Sequence, residues 1–227
     1  MIHRATRRAV LRAAALTGTA AAVGGALPGA HAWAAERRRP KRPATTANGW
    51  TIQANVDRDS QVWTRSVAGT GLTVPVWIGD VEAILLHLVR RFHYEIEKVQ
   101  WFDLTGWCDI SQLRRRAPES NLASGTAIRI RPGARAKGGL FPLQELALRD
   151  ILADCEGAVR WGGDDRDVDE SLFYIAFGPH DQRIRTVADR LRGWEATPGE
   201  GAGTTIDYLS SSRRGRADSL ARAQRAR

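Results

Sequence analysis

The residues able to do chemistry in this chain of 227 fall in two short segments. The first is Ser120-Asn121-Leu122-Ala123-Ser124-Gly125-Thr126-Ala127-Ile128-Arg129. The second is Trp161-Gly162-Gly163-Asp164, followed a few residues later by Asp169-Glu170-Ser171-Leu172. Two carboxylates can divide acid and base roles when their surroundings drive their pKa values apart. Asp169 and Glu170 are adjacent at a strand start and should point to opposite faces, which argues against a dyad. The run Asp164-Asp165-Arg166-Asp167-Val168-Asp169 superficially suggests a calcium loop. It lacks the central glycine and the distal bidentate glutamate. His87 and His93 are six apart and do not form a metal-binding pair one helical turn apart; packing or surface roles suit them.

In order, spacing and glycine placement, these segments resemble S-x-H-x-x-G-x-A-x-D and a following W-G-G-D run with D-x-x-H. Those motifs belong to the zinc D-alanyl-D-alanine carboxypeptidases and L-alanyl-D-glutamate endopeptidases, which cut peptidoglycan stems. Phe141-Pro142-Leu143-Gln144-Glu145-Leu146 is similar to the start of that family's connecting helix, and the resemblance spans roughly residues 72–178. It implies an α+β fold with a small antiparallel sheet packed with about three helices, the hedgehog-like carboxypeptidase fold.

The resemblance fails at every metal ligand. Leu122 and Leu172 stand at the two histidine positions and Arg129 at the aspartate. Catalytic zinc needs three ligands with N, O or S lone pairs and an open position for water. Leucine has no lone pair, and guanidinium is a permanent cation with no acceptor. Without zinc, water keeps a pKa of about 15.7 rather than about 7. The cofactor expectation is therefore none, although zinc belongs to the family, and Asp169 is a vestigial general base. Arg129, Ser120, Trp161 and Trp107 are the expected remnants of the cleft, with Tyr174 a further lining residue or a core one. Arg129 either pairs with Asp169 in place of the lost cation or lies solvated on a strand. One of Arg114, Arg115 and Arg116 either keeps the family's substrate-steadying role or belongs to a solvated face.

Charge and compartment narrow the partners. The net charge is +9, but residues 1–47 hold nine basic residues against one acid. Residues 48–194 hold 19 basic against 20 acidic residues, a near-neutral core without the footprint of nucleic-acid binding. Thr6-Arg7-Arg8-Ala9-Val10-Leu11-Arg12 fits a twin-arginine export pattern, followed by the apolar stretch 13–27 and A-x-A cleavage sites. That stretch is shorter than the roughly 20 apolar residues of a membrane span, so no stable anchor is expected after cleavage. Cys108 and Cys155 permit a disulfide worth about 3–4 kcal/mol on the chain-entropy model, or remain two buried thiols.

The expected organisation is an export segment 1–34, a basic disordered linker 35–49, a domain 50–194 and a disordered basic tail 195–227. Within the domain, residues 50–77 read as a hairpin or arm. A helix starts at Asp80, capped by its carboxylate, with Val81, Ile84, Leu85, Leu88 and Phe92 at helical spacing. Strands are expected at 94–101, 126–131, 158–161 and 171–177. Helices are expected at 143–152 and 182–194. These features imply an exported, cell-wall-associated, non-catalytic relative of the carboxypeptidases, binding peptidoglycan stem peptide or a wall-enzyme partner. The alternatives are an active wall hydrolase with a non-standard site, or a purely structural protein of the cell exterior.

Overall fold

The computed structural model describes residues 43–226. The expected export segment 1–34 and residues 35–42 of the expected linker lie outside them.

Buried apolar residues alternate from Leu72 to Val76, and a period of two buries one face of a strand. Strands β1 (Val62–Val67) and β2 (Leu72–Trp77) pair antiparallel, with Val62 opposite Trp77. Val62, Val67, Leu72, Val74 and Val76 are buried.

Helix α1 (Asp80–Glu95) buries Val81, Ile84, Leu85, Leu88, Val89 and Phe92 along one stripe. Fully buried aliphatic and aromatic side chains of this kind contribute about 1.5–3 kcal/mol each. The helix starts at Asp80 as expected, but its cap is not the Asp80 carboxylate. Gly79 is the N-cap, and the Glu82 carboxylate accepts its N–H at 3.1 Å. Asp80 instead accepts from Arg192 of the third helix at 2.7 Å.

The strand expected at 94–101 does not form. Helix α1 continues to Glu95, and the N–H groups of Ile96 and Glu97 both close on the Phe92 carbonyl. Alternation over so short a run does not separate a strand from a helix end. A 3₁₀ turn follows at Trp101–Asp103, then the two-residue strand β3 (Leu104–Thr105).

Strands β4 (Ala127–Ile130), β5 (Val159–Trp161) and β6 (Leu172–Ile175) complete an antiparallel sheet in the order β3-β4-β6-β5. Its two faces do different things. Ile128, Ile130, Phe173 and Ile175 join the main core with α1 and with α2 (Pro142–Asp154). Ala127, Leu172 and Tyr174 face the other way and pack with Leu122 in a second, smaller cluster. That second face carries the candidate site.

Helix α3 (Gln182–Ala196) starts as expected at Asp181, whose side chain accepts the Arg183 N–H. The tail departs from expectation. Residues Ser211–Arg225 form a fourth helix, α4, laid against α2. Its Ala217 and Ala221 are buried, and Gln224 donates to the Val159 carbonyl at 2.8 Å. Arg213 reaches Asp150 and Asp154 at 2.7 and 2.8 Å, where fully buried Arg91 meets the same carboxylates and Glu95. A polar composition suggested disorder, but complementary carboxylates on α2 fix this segment in place. The domain therefore extends beyond 194 and, through Thr46 and Asn48, begins before 50. Among the described residues the architecture is α+β, a small antiparallel sheet and a hairpin with four α-helices.

Candidate functional site

Pairing across β4 and β6 places Arg129 directly opposite Leu172. Leu122, on the 3₁₀ helix Pro118–Ser124, packs against Leu172 from above that face. The three positions where the resembled motifs carry metal ligands are thus neighbours. Leu122 and Leu172 are buried, with Cys108 and Leu113 packed against them.

Arg129 is 5% exposed and bridges two carboxylates. Its Nη2 donates to Glu119 at 2.8 Å and to Asp169 at 3.0 Å, while its Nε is buried with no partner among the described residues. Arg114 completes the group, donating from its Nε to Glu119 at 2.9 Å and standing 3.5 Å from Asp167. Burial works against ionised Glu119, but hydrogen bonds from the Arg114 backbone and guanidinium and from Arg129 bring its carboxyl down to about 2. Charge-assisted bonds of this type are roughly twice as strong as neutral ones.

Asp169 is committed on both oxygens. Oδ2 holds Arg129, and Oδ1 accepts from the Ser171 hydroxyl at 2.5 Å and the Ser171 N–H at 3.2 Å. Glu170 turns away, as its adjacency predicted, and accepts the N–H groups of Gly138 and Gly139 at 2.7 and 2.8 Å. No acid–base pair arises from these two. Nor do the residues present suit zinc. Two of the three ligand positions are hydrocarbon, the third is a cation, and among the described residues no three His, Cys, Asp or Glu side chains come together as a metal-binding group.

The motif glycines have structural causes here. Gly125 ends the 3₁₀ helix at φ 68°, a left-handed conformation open to glycine. A Cβ there would stand 2.6 Å from Val62 Cγ2 and 2.8 Å from the Trp77 nitrogen, whose N–H donates to Gly125. A Cβ on Gly162 would stand 2.4 Å from the Asp169 carbonyl. Both glycines let neighbouring backbone approach the segments that carry Arg129 and Asp169.

The other expected cleft residues serve the scaffold. Ser120 is fully buried and accepts the Ala47 N–H at 3.0 Å, and Asn121 accepts that of Asn48 at 3.0 Å. Trp107, half-buried, donates its indole N–H to the carbonyls of Gln53 and Ala123, each at 3.2 Å. Both residues therefore tie the arm 46–53 to the 3₁₀ helix instead of lining an open groove. Trp161 is buried on the main-core face and donates to the Glu170 carbonyl at 2.8 Å, with the Arg149 guanidinium 4.7 Å from its ring centre. Tyr174 donates to Asp165 at 2.9 Å; burial, then the Asp165 charge, push its phenol well above the usual range.

Sequence reasoning missed Glu119 and the part of the arm before residue 50. Glu119 had a visible signal: a carboxylate immediately before the motif serine, able to face an arginine ten residues later. The arm had none, because its bonds run from backbone groups to residues more than seventy positions away.

Cys108 and Cys155 are free. Cys155 is buried in the main core and Cys108 sits beside the small cluster, on the other face of the sheet. Burial, and next the Asp154 charge, push the Cys155 thiol up to about 12. Burial also raises Cys108, with Arg129 pulling the other way. Compared with known proteins, the chain matches no protein-family model, no curated protein and no solved structure.

Proposed function

We propose that this protein is an exported, non-catalytic relative of the zinc D-alanyl-D-alanine carboxypeptidases, with their hedgehog-like fold, that binds peptidoglycan stem peptide without cutting it. The observation that supports this reading is an ion cluster at the positions where the resembled motifs carry metal ligands. Leu122, Arg129 and Leu172 adjoin one another, and Arg129 supplies the positive charge between Glu119 and Asp169. Arg129 and Arg114 together offset the charges of Glu119 and Asp169, and a guanidinium activates no water. Hydrolysis through Asp169 is disfavoured because both of its oxygens are engaged.

Binding is assigned to the exposed run beside the cluster. Arg115 and Arg116 are exposed next to Arg114, and their forked donors match a peptide carboxylate bidentately. A cavity of about 440 Å³ also shares the loop that precedes Asp169, with Trp161, Asp165, Val168 and Glu170 in its wall.

Two measurements test the reading. The full chain should co-sediment with insoluble peptidoglycan, and R115A/R116A should weaken this several-fold. Absence of any binding would sink the wall-peptide assignment. Separately, the L122H/R129D/L172H variant should take up one zinc where the unaltered chain takes none. Stoichiometric zinc in the unaltered chain would overturn the non-catalytic reading.

A further inference from the structure

We propose that the end of the molecule built from residues 98–103 and 135–143 is a docking surface for anionic lipid headgroups. The protein would lie on a bilayer there without spanning it; among the described residues no helix is long and apolar enough to cross a membrane.

Trp101 is 78% exposed, Phe141 75%, and Phe102 and Leu143 61% each. These are the four most exposed large apolar side chains among the described residues. They come from two segments far apart in sequence, which hydrogen bonds tie together. Arg131 donates its backbone N–H to the Asp103 carbonyl at 2.6 Å and its guanidinium to the Gly139 carbonyl at 3.3 Å. Gln144 bonds the Phe141 N–H at 2.9 Å and the Ile96 carbonyl at 3.3 Å. Trp101 and Phe102 sit edge-to-face at 5.6 Å on a 3₁₀ turn, and Phe141 and Leu143 flank the first residue of α2. Leaving this much aromatic surface in water is unfavourable unless something covers it.

Charge selects what covers it. Lys98, Arg135 and Lys137 are exposed at the same end and make no ion pair with any described residue. The nearby Glu97 is already neutralised by Arg131 at 3.0 Å, and Asp103 accepts the Gln100 N–H. The surface is therefore apolar at its tip, with exposed Lys98, Arg135 and Lys137 at its rim. The Glu170 carboxylate behind it is buried against the Gly138 and Gly139 N–H groups. Tryptophan and phenylalanine partition to the headgroup level of a bilayer, and juxtaposed lysine and arginine are drawn to its anionic lipids. These side chains come from a turn and a helix start, not from a concave wall, which suits insertion between headgroups. The surface uses none of the residues of the Arg129 cluster or of the Arg115–Arg116 run, but Lys137, Gly138 and Leu140 also line the cavity of about 440 Å³. W101A/F102A/F141A leaves all of these in place and so separates lipid docking from the wall-peptide reading.

The test is co-sedimentation of the full chain with vesicles of phosphatidylglycerol and phosphatidylcholine in equal parts, with tryptophan emission recorded in parallel. The chain should partition to these vesicles with a blue shift. W101A/F102A/F141A should lower partitioning at least about tenfold, with unchanged circular dichroism. The surface variant K98E/K137E should lower it as well, and added salt should weaken what remains. Undiminished partitioning of the aromatic variant would assign binding to the basic residues near the N-terminus and overturn the proposal. Equal partitioning to phosphatidylcholine alone would overturn the anionic assignment. Self-association without vesicles, abolished by the same aromatic variant, would make the surface a protein interface and also overturn it.

Discussion

Arg129 and Asp169 form an ion pair at 3.0 Å, linking strand β4 to the loop that leads into β6. Glu119 shares the same guanidinium nitrogen, so one cation holds three pieces of chain. The Arg129 side chain is 6% exposed, and removing it would leave two carboxylates facing each other with little water. Breaking a buried pair in this way costs about 3–5 kcal/mol. Arg129→Met should lower stability by that order in urea unfolding. Arg129→Lys should recover only part of it, because an ammonium lacks the planar fork. Arg129→Met combined with Glu119→Gln and Asp169→Asn should be milder than Arg129→Met alone.

Arg213 fastens α4 to the domain. It shares Asp150 and Asp154 with Arg91, whose side chain is fully buried, whereas Arg213 keeps 22% exposure. Burial opposes ionised Asp150, but Arg213 and Arg91 hold its carboxyl below the usual range. Arg213→Ala should cost about 2 kcal/mol, the scale of hydrogen bonds to charged groups, and should speed proteolysis within 197–210. Arg91→Met should cost more, because it strands buried carboxylates. Equal losses from both would contradict this division of roles.

His87 gives stability a distinct pH dependence. Both ring nitrogens are buried without partners among the described residues. Burial first, then Arg91, Arg190, Arg90 and Arg213, lower its pKa from 6.5 to about 3. Between those values the unfolded chain binds the extra proton, so stability rises with pH. The contribution is complete above 6.5 and falls on acidification by about 1.4 kcal/mol per pH unit. Glu119 adds its own loss only below its ordinary value of 4.5. Unfolding followed between these two values should show the slope, and His87→Leu should flatten it.

The two thiols should differ sharply in reactivity. Cys155 is fully buried, with its thiol pushed up to about 12, while Cys108 is partly exposed. Thiolate is the reactive form, so a chromogenic disulfide reagent should label at most Cys108 in the folded chain and both thiols in denaturant. Loss of both signals in denaturant without reductant would reveal a disulfide and contradict the placement on opposite sheet faces.

Much of the fold was legible because it depends on local periodicity. The stripe of α1, the hairpin pattern of 62–77, the Asp181 cap and the strand around Ala127–Ile130 are each written in neighbouring residues. The 94–101 segment misled because a helix end and a short strand share the same alternation. The tail misled for another reason. Its alanines and arginines have no stripe strong enough to announce burial, and only Asp150 and Asp154 on α2 give them a place.

The candidate site divides the same way. Residue chemistry alone showed that positions 122, 129 and 172 present no metal ligand, since valence and charge do not depend on folding. Whether Arg129 would face Asp169 or water was undetermined, because a strand's two faces look alike until something packs on each. The tertiary structure decided that by covering the second face with the 3₁₀ helix Pro118–Ser124, which the arm 46–53 holds in place. Burial there made an unpaired guanidinium costly, and Glu119 and Asp169 together supply the neutralising charge.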